Sequence, residues 1–166
     1  MKVEYSDSKK YILKSDDDAF LGNLVFENWM ATKANITTQF GEFYDIATKG
    51  FWGTSIGVSK NGVEYSELKM NWKGEIVIDM SDNGKGQDYL LKSRNLWMSQ
   101  YCLQNRDKKE IMIITPDYKW SKWHYNFKIE INPDFKDVAD EMLILISIYG
   151  ILYIMMMTGA AVGAAV

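Results

Sequence analysis

The last 25 residues of the sequence, 142–166, contain no charged side chain. Fourteen of them are large and apolar or aromatic. Full burial of a side chain of that size contributes roughly 1.5–3 kcal/mol, so leaving the whole segment in water would cost on the order of 20–40 kcal/mol. The segment therefore lies either within a bilayer or within the core of the protein. This alternative constrains the fold more than any other feature of the chain.

Residues 11–131 form short alternating runs separated by turn residues, which is the pattern of antiparallel strands. The Asn61-Gly62 pair predicts a tight hairpin, because a type I′ turn needs positive φ at both central positions. An acidic turn is predicted at 16–18. The pattern indicates about ten to twelve strands and no helix before residue 137.

The alternation also predicts which aromatic side chains face the core. In the run 68–73 it places Trp72 on the core side of its strand. In the run 123–132 it places Trp123 and Tyr125 on the core side and His124 on the solvent side. The sequence thus predicts a buried Trp72 and an exposed His124.

An internal repeat indicates a regular arrangement of these strands. Residues 44–52 align with 89–97, and residues 72–80 align with 123–131 after a six-residue gap. A weaker first copy that starts at Tyr11 would make three units of about four strands, each too small to bury its own apolar face. The alternative is that any β-meander rich in tryptophan and tyrosine shows such matches.

A sheet of about twelve strands has to be closed or covered, because open edges promote aggregation. A closed barrel of more than about eight strands has an interior too wide for its own side chains, and a central helix is one way to fill it. Acidic residues near 137–141 suit the first turn of such a helix. We predict a mainly β single domain, a closed antiparallel barrel that encloses a hydrophobic C-terminal helix. Its parts are the barrel body 1–136, the helix 137–157 and a small-residue tail 158–166.

This arrangement resembles the tubby C-terminal-like superfamily, which includes the LURP-one-related and phospholipid-scramblase-like proteins. The similar motifs are the strand ends 49–52 and 94–97, in which a basic residue precedes tryptophan, and the acidic 137–141 before the apolar 142–146. The resemblance implies a twelve-stranded barrel threaded by the terminal helix. It further implies a non-enzymatic domain that binds an anionic phospholipid or a small apolar ligand. The calcium-binding segment of the scramblases has no match in this sequence.

The alternative for the apolar segment is a tail-anchored transmembrane helix that follows a cytoplasmic β-domain. Its length meets the criterion of about 18 apolar residues for a span, and Gly159 and Gly163 form a G-x-x-x-G pair. The acidic upstream flank argues against an anchor, since cytoplasmic flanks usually carry Lys or Arg. The need to fill the barrel favours burial. A structural or protein-interaction module is a third class that stays open.

Composition argues against several classes of function. The net charge of −3 disfavours nucleic-acid binding. The single His124 and the single Cys102 offer neither a histidine-based metal site nor a disulfide framework. We expect no enzymatic activity, no cofactor and no metal. The polar N-terminal residues predict no secretory signal and a cytoplasmic location, peripheral to a membrane if the lipid interpretation is right.

The best candidate for a binding surface is the stretch 117–124, in which bases and aromatic residues interleave. Indole rings favour the headgroup level of a membrane, and lysine pairs with phosphate. A second basic site is predicted at Lys49 and Arg94, which occupy equivalent positions before a tryptophan in the two repeat copies. The alternative is that the tryptophans of 117–124 belong to the core and the rim of the barrel. The candidate ligand-binding residues are Lys49, Arg94, Lys119, Trp120 and Lys122.

Overall fold

The structure is a computed structural model. It describes residues 1–7, 9–27, 32–49, 55–80, 87–95, 99–119 and 124–158. The strands within these residues are β1 (Lys2–Tyr5), β2 (Lys10–Lys14), β3 (Phe20–Phe26), β4 (Lys33–Thr38), β5 (Phe43–Lys49), β6 (Ser55–Lys60), β7 (Val63–Met70), β8 (Ile76–Met80), β9 (Gln87–Ser93), β10 (Tyr101–Gln104), β11 (Glu110–Lys119) and β12 (His124–Ile131).

These twelve strands form one closed barrel in which each strand pairs antiparallel with its neighbours in the sequence. β1 closes the barrel against β12, with Val3 opposite Phe127. Asn61 and Gly62 join β6 to β7 with φ values of +52° and +77°, as the predicted hairpin requires. The prediction of a closed antiparallel barrel of about twelve strands is confirmed.

The barrel interior is lined by apolar side chains that alternate along every strand with outward-facing ones. This alternation follows from the two-residue period of a strand, and β2 and β3 show it as a regular exchange of buried and half-buried positions. Every strand contributes at least one fully buried side chain: Val3, Leu13, Leu24, Ile36, Ile46, Ile56, Leu68, Ile78, Leu91, Leu103, Ile114 and Ile129.

The C-terminal helix, α1 (Glu141–Met157), fills this interior. Every residue from Met142 to Ile151 is buried, so all faces of the helix are covered over nearly three turns. A helix packed on the outside of a barrel would leave one face in water. The predicted hydrophobic helix enclosed by the barrel is therefore confirmed. None of the described helices is both long and apolar enough for a membrane span.

Close contacts show how tightly the helix fits. A Cβ at Gly150 would lie 2.8 Å from Leu91 Cδ2 and 3.3 Å from Ile76 Cδ1. A Cβ at Gly22 of β3 would lie 3.0 Å from Leu145 Cδ1. Both glycines therefore let the helix and the wall approach more closely than any other residue type would allow.

The helix starts four residues later than predicted. Residues 136–138 form a turn after a short 3-10 helix (Pro133–Phe135). Asp140 then adopts an extended backbone conformation and its carboxylate accepts a hydrogen bond of 2.7 Å from the backbone N–H of Leu143. The predicted start at residue 137 was wrong, because Asp140 acts as the N-cap and does not belong to the first turn.

We expect replacement of this cap to weaken the helix. Asp140→Ala should lower the free energy of unfolding by about 1 kcal/mol, because it leaves the N–H of Leu143 without its acceptor. Asp140→Asn should keep the stability, since an amide oxygen caps equally well. Urea unfolding of the three proteins measures both effects. Equal stability of the Ala variant and the parent would show that the cap does not contribute.

The strand positions support the repeat of two copies. Tyr44 lies on β5 and Tyr89 on β9, four strands later, and both are buried. The Tyr44 hydroxyl donates to Glu42 at 3.3 Å and the Tyr89 hydroxyl donates to Gln87 at 2.5 Å, so each bonds the side chain two residues upstream. Tyr11 lies on β2, only three strands before β5, which does not fit a third copy with a period of four.

Two predicted orientations were wrong. Trp72 is 90% exposed, because β7 ends at Met70 and the alternation stops before the tryptophan. His124 is only 6% exposed, although its position alternates with core residues. At the first residue of β12 its ring stacks on the ring of Tyr5 with a centroid separation of 4.3 Å, which removes it from solvent.

Candidate functional site

The two ends of the barrel differ in what they present. Since successive strands are antiparallel, the connections alternate between the ends. We call the end at which α1 begins the lower end, and the end at which it finishes the upper end. At the lower end the Gln39 side chain, in the turn after β4, donates a hydrogen bond of 2.6 Å to Glu141 at the start of α1. The connections after β1, β3, β5, β7, β9 and β11 therefore belong to the upper end.

The predicted basic residues that the structure describes all lie toward the upper end. Lys49 is the last residue of β5, Arg94 follows β9 directly, and Lys119 is the last residue of β11. They sit on three separate strands of the barrel and do not converge on one pocket. Trp120 and Lys122 lie outside the described residues, as do the connector 82–86 and the residues of the tail after Thr158.

Each of these three bases is paired with a carboxylate. Lys119 Nζ lies 2.6 Å from an oxygen of Asp117, and Arg94 Nε lies 3.4 Å from an oxygen of Glu110. Lys49 forms ion pairs with two glutamates of β7, Glu64 and Glu67. Their charge is thus partly neutralised before any ligand arrives.

Lys49 extends along the outer wall of the barrel and does not project from the rim. A Cβ at Gly57 on β6 would lie 2.5 Å from Lys49 Cε, so the glycine leaves room for the lysine chain. Lys49 bonds Glu64, which raises the pKa of the ammonium group, and lies 3.6 Å from Glu67. Hydrogen bonds from Lys69 at 2.8 Å and from Ser55 at 2.5 Å lower the pKa of Glu67 to about 2. Lys49 therefore acts as a wall ion pair.

The one tryptophan among the described residues lies at the tip of an upper-end turn. Trp72 follows β7, and the ammonium group of Lys73 lies 5.3 Å from the centroid of its ring. Asn71 holds this turn, because its side-chain oxygen accepts hydrogen bonds from the N–H groups of Lys73 at 2.9 Å and Glu75 at 3.0 Å. The fold thus presents an indole and a cation together on an ordered turn.

The end of α1 adds a second apolar element to the upper end. Met157 is 55% exposed. Thr158 closes the helix, because its hydroxyl donates to the carbonyl of Ile154 at 2.8 Å. The upper end therefore exposes a thioether side chain where the barrel core reaches the solvent.

Lysines without a carboxylate partner occur at both ends of the barrel. Among the described residues, Lys9, Lys33 and Lys73 at the upper end take part in no ion pair, and neither do Lys108, Lys109 and Lys136 at the lower end. Lys9 lies between β1 and β2, Lys33 begins β4, and Lys73 lies between β7 and β8. Lys9 and Lys33 flank the end of β3, whereas Lys73 lies four strands further round the rim, so the three cations do not enclose one anion.

Trp72 is the only tryptophan among the described residues. The other five, Trp29, Trp52, Trp97, Trp120 and Trp123, lie outside them. The predicted core-side position of Trp123 therefore stays a prediction.

Other polar features of the described residues offer little chemistry. Cys102 is buried, and burial raises the pKa of its thiol, which disfavours the reactive thiolate. No group of three His, Cys, Asp or Glu residues in the described part of the chain could hold a metal ion. A shallow cleft of about 290 Å³ on the wall between β11 and β12 carries two carboxylates, Glu110 and Glu130, which do not suit an anion.

Comparisons with protein-family models, with curated proteins and with solved structures found no match. The likeness to the tubby C-terminal-like superfamily thus stays a prediction that rests on the strand-end motifs and the terminal helix.

Proposed function

We propose that this barrel is a non-enzymatic domain that docks on an anionic membrane surface with its upper end. One observation carries the proposal: Trp72 is 90% exposed beside the Lys73 ammonium group, at the end of the barrel where Met157 also reaches solvent. Indole rings are enriched at the headgroup level of membranes, where an apolar body and a polar edge are both satisfied. A lysine next to the ring places a positive charge at the same depth.

The distribution of the cations supports a flat ligand. Lys73 lies four strands away from Lys9 and Lys33, which flank β3, so a single headgroup cannot contact all three. A planar anionic surface can, and each lysine near such a surface contributes about 1 kcal/mol. The three together would supply about 3 kcal/mol, to which Trp72 adds by partitioning at the interface.

The filled interior favours a surface ligand over an internal one. A small apolar ligand inside the barrel would have to displace side chains of α1, where Leu145 and Gly150 already touch the wall. The anionic leaflet of cellular membranes faces the cytoplasm, so the proposal also carries a cytoplasmic, peripheral location. The proposed docking corresponds to the phospholipid binding that the resemblance to the tubby C-terminal-like superfamily implies.

Sedimentation with lipid vesicles tests the proposal. The protein should bind vesicles of phosphatidylcholine mixed with phosphatidylserine and should not bind phosphatidylcholine alone. Lys73→Ala should weaken this binding about fivefold, which corresponds to about 1 kcal/mol. The double variant Trp72→Ala/Lys73→Ala should weaken it further, and added salt should weaken the binding of the parent by screening the lysines.

The chain offers a matched control at the opposite end. Phe40 is an aromatic residue with 80% exposure at the lower end, so Phe40→Ala removes an exposed ring without touching the upper rim. Its vesicle binding should equal that of the parent. Equal binding of the parent and the Trp72→Ala/Lys73→Ala variant would contradict the proposal.

A tail-anchored membrane protein and a protein-interaction module would each give a different result with the same protein preparation. Protein that stays with membranes through an alkaline wash until detergent is added would indicate a tail anchor. Protein that binds no vesicle but forms a defined oligomer would indicate a protein-interaction module.

A further inference from the structure

A second exposed apolar surface lies at the lower end of the barrel. We call it the phenylalanine patch, and it consists of Phe20, Phe40 and Phe43. Phe40 is the most exposed of the three, and Phe20 and Phe43 each keep nearly half of their surface in solvent. Exposed apolar residues that lie close together on a surface mark interaction sites, whereas single ones are common.

The strand register brings these rings to one sector of the rim. Gly22 of β3 pairs with Thr38 of β4, and the N–H of Gln39 donates to the carbonyl of Leu21 at 2.9 Å, which continues the pairing to the strand ends. Phe20 and Phe40 therefore lie opposite each other, two positions beyond the pair of Gly22 and Thr38. Phe43 begins β5 opposite Thr37 and alternates with the buried Tyr44, so it adds a ring on the outer wall at the same part of the rim.

Carboxylates border the phenylalanine patch. Asp16, Asp17 and Asp18 form the turn that leads into Phe20, and Glu141 lies beside Gln39 at the start of α1. Asp16 bonds the terminal amino group and Asp18 bonds Lys2. Within the described part of the chain, Asp17 and Glu141 have no cationic partner. The apolar rings are thus bordered by negative charge that is only partly compensated.

We propose that the phenylalanine patch docks a basic, amphipathic segment of a partner protein. Apolar side chains of the segment would cover the rings, and its Lys or Arg residues would pair with the Asp16–Asp18 turn and with Glu141. A membrane does not fit, because an anionic surface repels these carboxylates. A second copy of the chain packed symmetrically on the patch does not fit either, since it would bring Asp17 and Glu141 of both copies together.

The inference does not depend on the membrane proposal. The phenylalanine patch lies at the end opposite to Trp72 and Lys73, so the two surfaces can be occupied at the same time. If both proposals are right, a barrel bound to a membrane presents the phenylalanine patch away from the lipid. Their failures are distinguishable, because the experiment below contains no lipid.

Fluorescence anisotropy with a designed probe tests the docking. The probe is a labelled peptide of lysine and leucine with the leucines at helical spacing, and its counterpart carries glutamate in place of lysine. The parent protein should bind the lysine peptide roughly tenfold more tightly than the glutamate peptide, as complementary charge requires. Phe40→Ser should weaken binding of the lysine peptide by roughly tenfold, because exposed aromatic anchors dominate such interfaces.

Two control variants locate the binding on the protein. Trp72→Ser removes the exposed ring of the upper end and should leave the affinity for the lysine peptide unchanged. Asp17→Asn/Glu141→Gln removes the uncompensated charges and should reduce the preference for lysine over glutamate. The inference is overturned if Phe40→Ser binds the lysine peptide like the parent, or if both peptides bind equally. A dimer of the parent in sedimentation that Phe40→Ser abolishes would also overturn it, in favour of a second copy as the occupant.

Discussion

A chain that ends at residue 136 should form no folded barrel. It loses α1 and with it all the helix side chains that are buried inside the barrel. Each large side chain contributes about 1.5–3 kcal/mol on burial, so the loss exceeds the whole stability of a typical domain, about 5–15 kcal/mol. The hole is as long as the helix, about 25 Å, and twelve paired strands cannot collapse to close it. We expect this chain in the insoluble fraction, or without a cooperative unfolding transition.

A second truncation separates loss of the helix from loss of the tail. A chain that ends at Thr158 keeps α1 and its C-terminal cap, and should unfold cooperatively in urea at about the midpoint of the parent. Circular dichroism and size-exclusion chromatography compare the two truncated chains with the full one. A folded, monomeric chain of residues 1–136 would refute the assignment of α1 as the core of the barrel.

Gly150→Leu should destabilise the protein by about 3 kcal/mol, the upper part of the usual range for overpacking a core. The new side chain would start 2.8 Å from Leu91 Cδ2 and 3.3 Å from Ile76 Cδ1, and both partners are fully buried. Helix propensity opposes this effect, since leucine is better than glycine in a helix by somewhat less than 1 kcal/mol. The measured loss is therefore a lower bound on the steric cost. Urea unfolding gives it directly.

A compensating substitution makes the test specific to the contact. Leu91→Ala alone creates a cavity and should lower the stability by about 2–5 kcal/mol. In the double variant Gly150→Leu/Leu91→Ala the introduced leucine occupies the space that Leu91 vacates. The double variant should lose less free energy of unfolding than the sum of the two single losses, by about 1 kcal/mol or more. Additive effects would mean that Gly150 and Leu91 do not touch.

These two tests also bear on where function can reside. A barrel whose interior is occupied by its own helix has no room for a ligand at its centre, unlike barrels of similar size that enclose a ligand or a channel. The surfaces that remain are the wall and the two ends. On the wall, Lys49 is held by Glu64 and Glu67, and Arg94 is held by Glu110. The ends carry the most exposed aromatic side chains, Trp72 at the upper end and Phe40 at the lower end.

The sequence by itself determined the class of fold. Period-two alternation marked the strands, and the Asn61-Gly62 pair marked a hairpin, because both patterns express local backbone geometry. The uncharged segment after residue 141 required an apolar environment through its composition alone. The strand count then made the barrel interior the place where that segment fits. Each of these inferences used either the pattern of a few neighbouring residues or the composition and strand count of the whole chain.

The tertiary structure decided what the surface offers. Lys49, Arg94 and Lys119 were predicted to be available for a ligand, and each has a carboxylate partner. Trp72 was predicted to be a core residue, and the end of β7 at Met70 placed it in a turn in contact with solvent. Lys119 pairs with Asp117 of its own strand, whereas the partners of Lys49 and Arg94 appear in no local pattern, because they lie on other strands.

The collection of lysines and tryptophan at one end was decided in the same way. Lys9, Lys33 and Trp72 are far apart in the sequence, and each by itself is an ordinary turn or strand-end residue. They share a rim only because twelve antiparallel strands close in sequence order, which sends every second connection to the same end. Local propensities set the strands and the helix, whereas closure of the sheet set which side chains face the same surface.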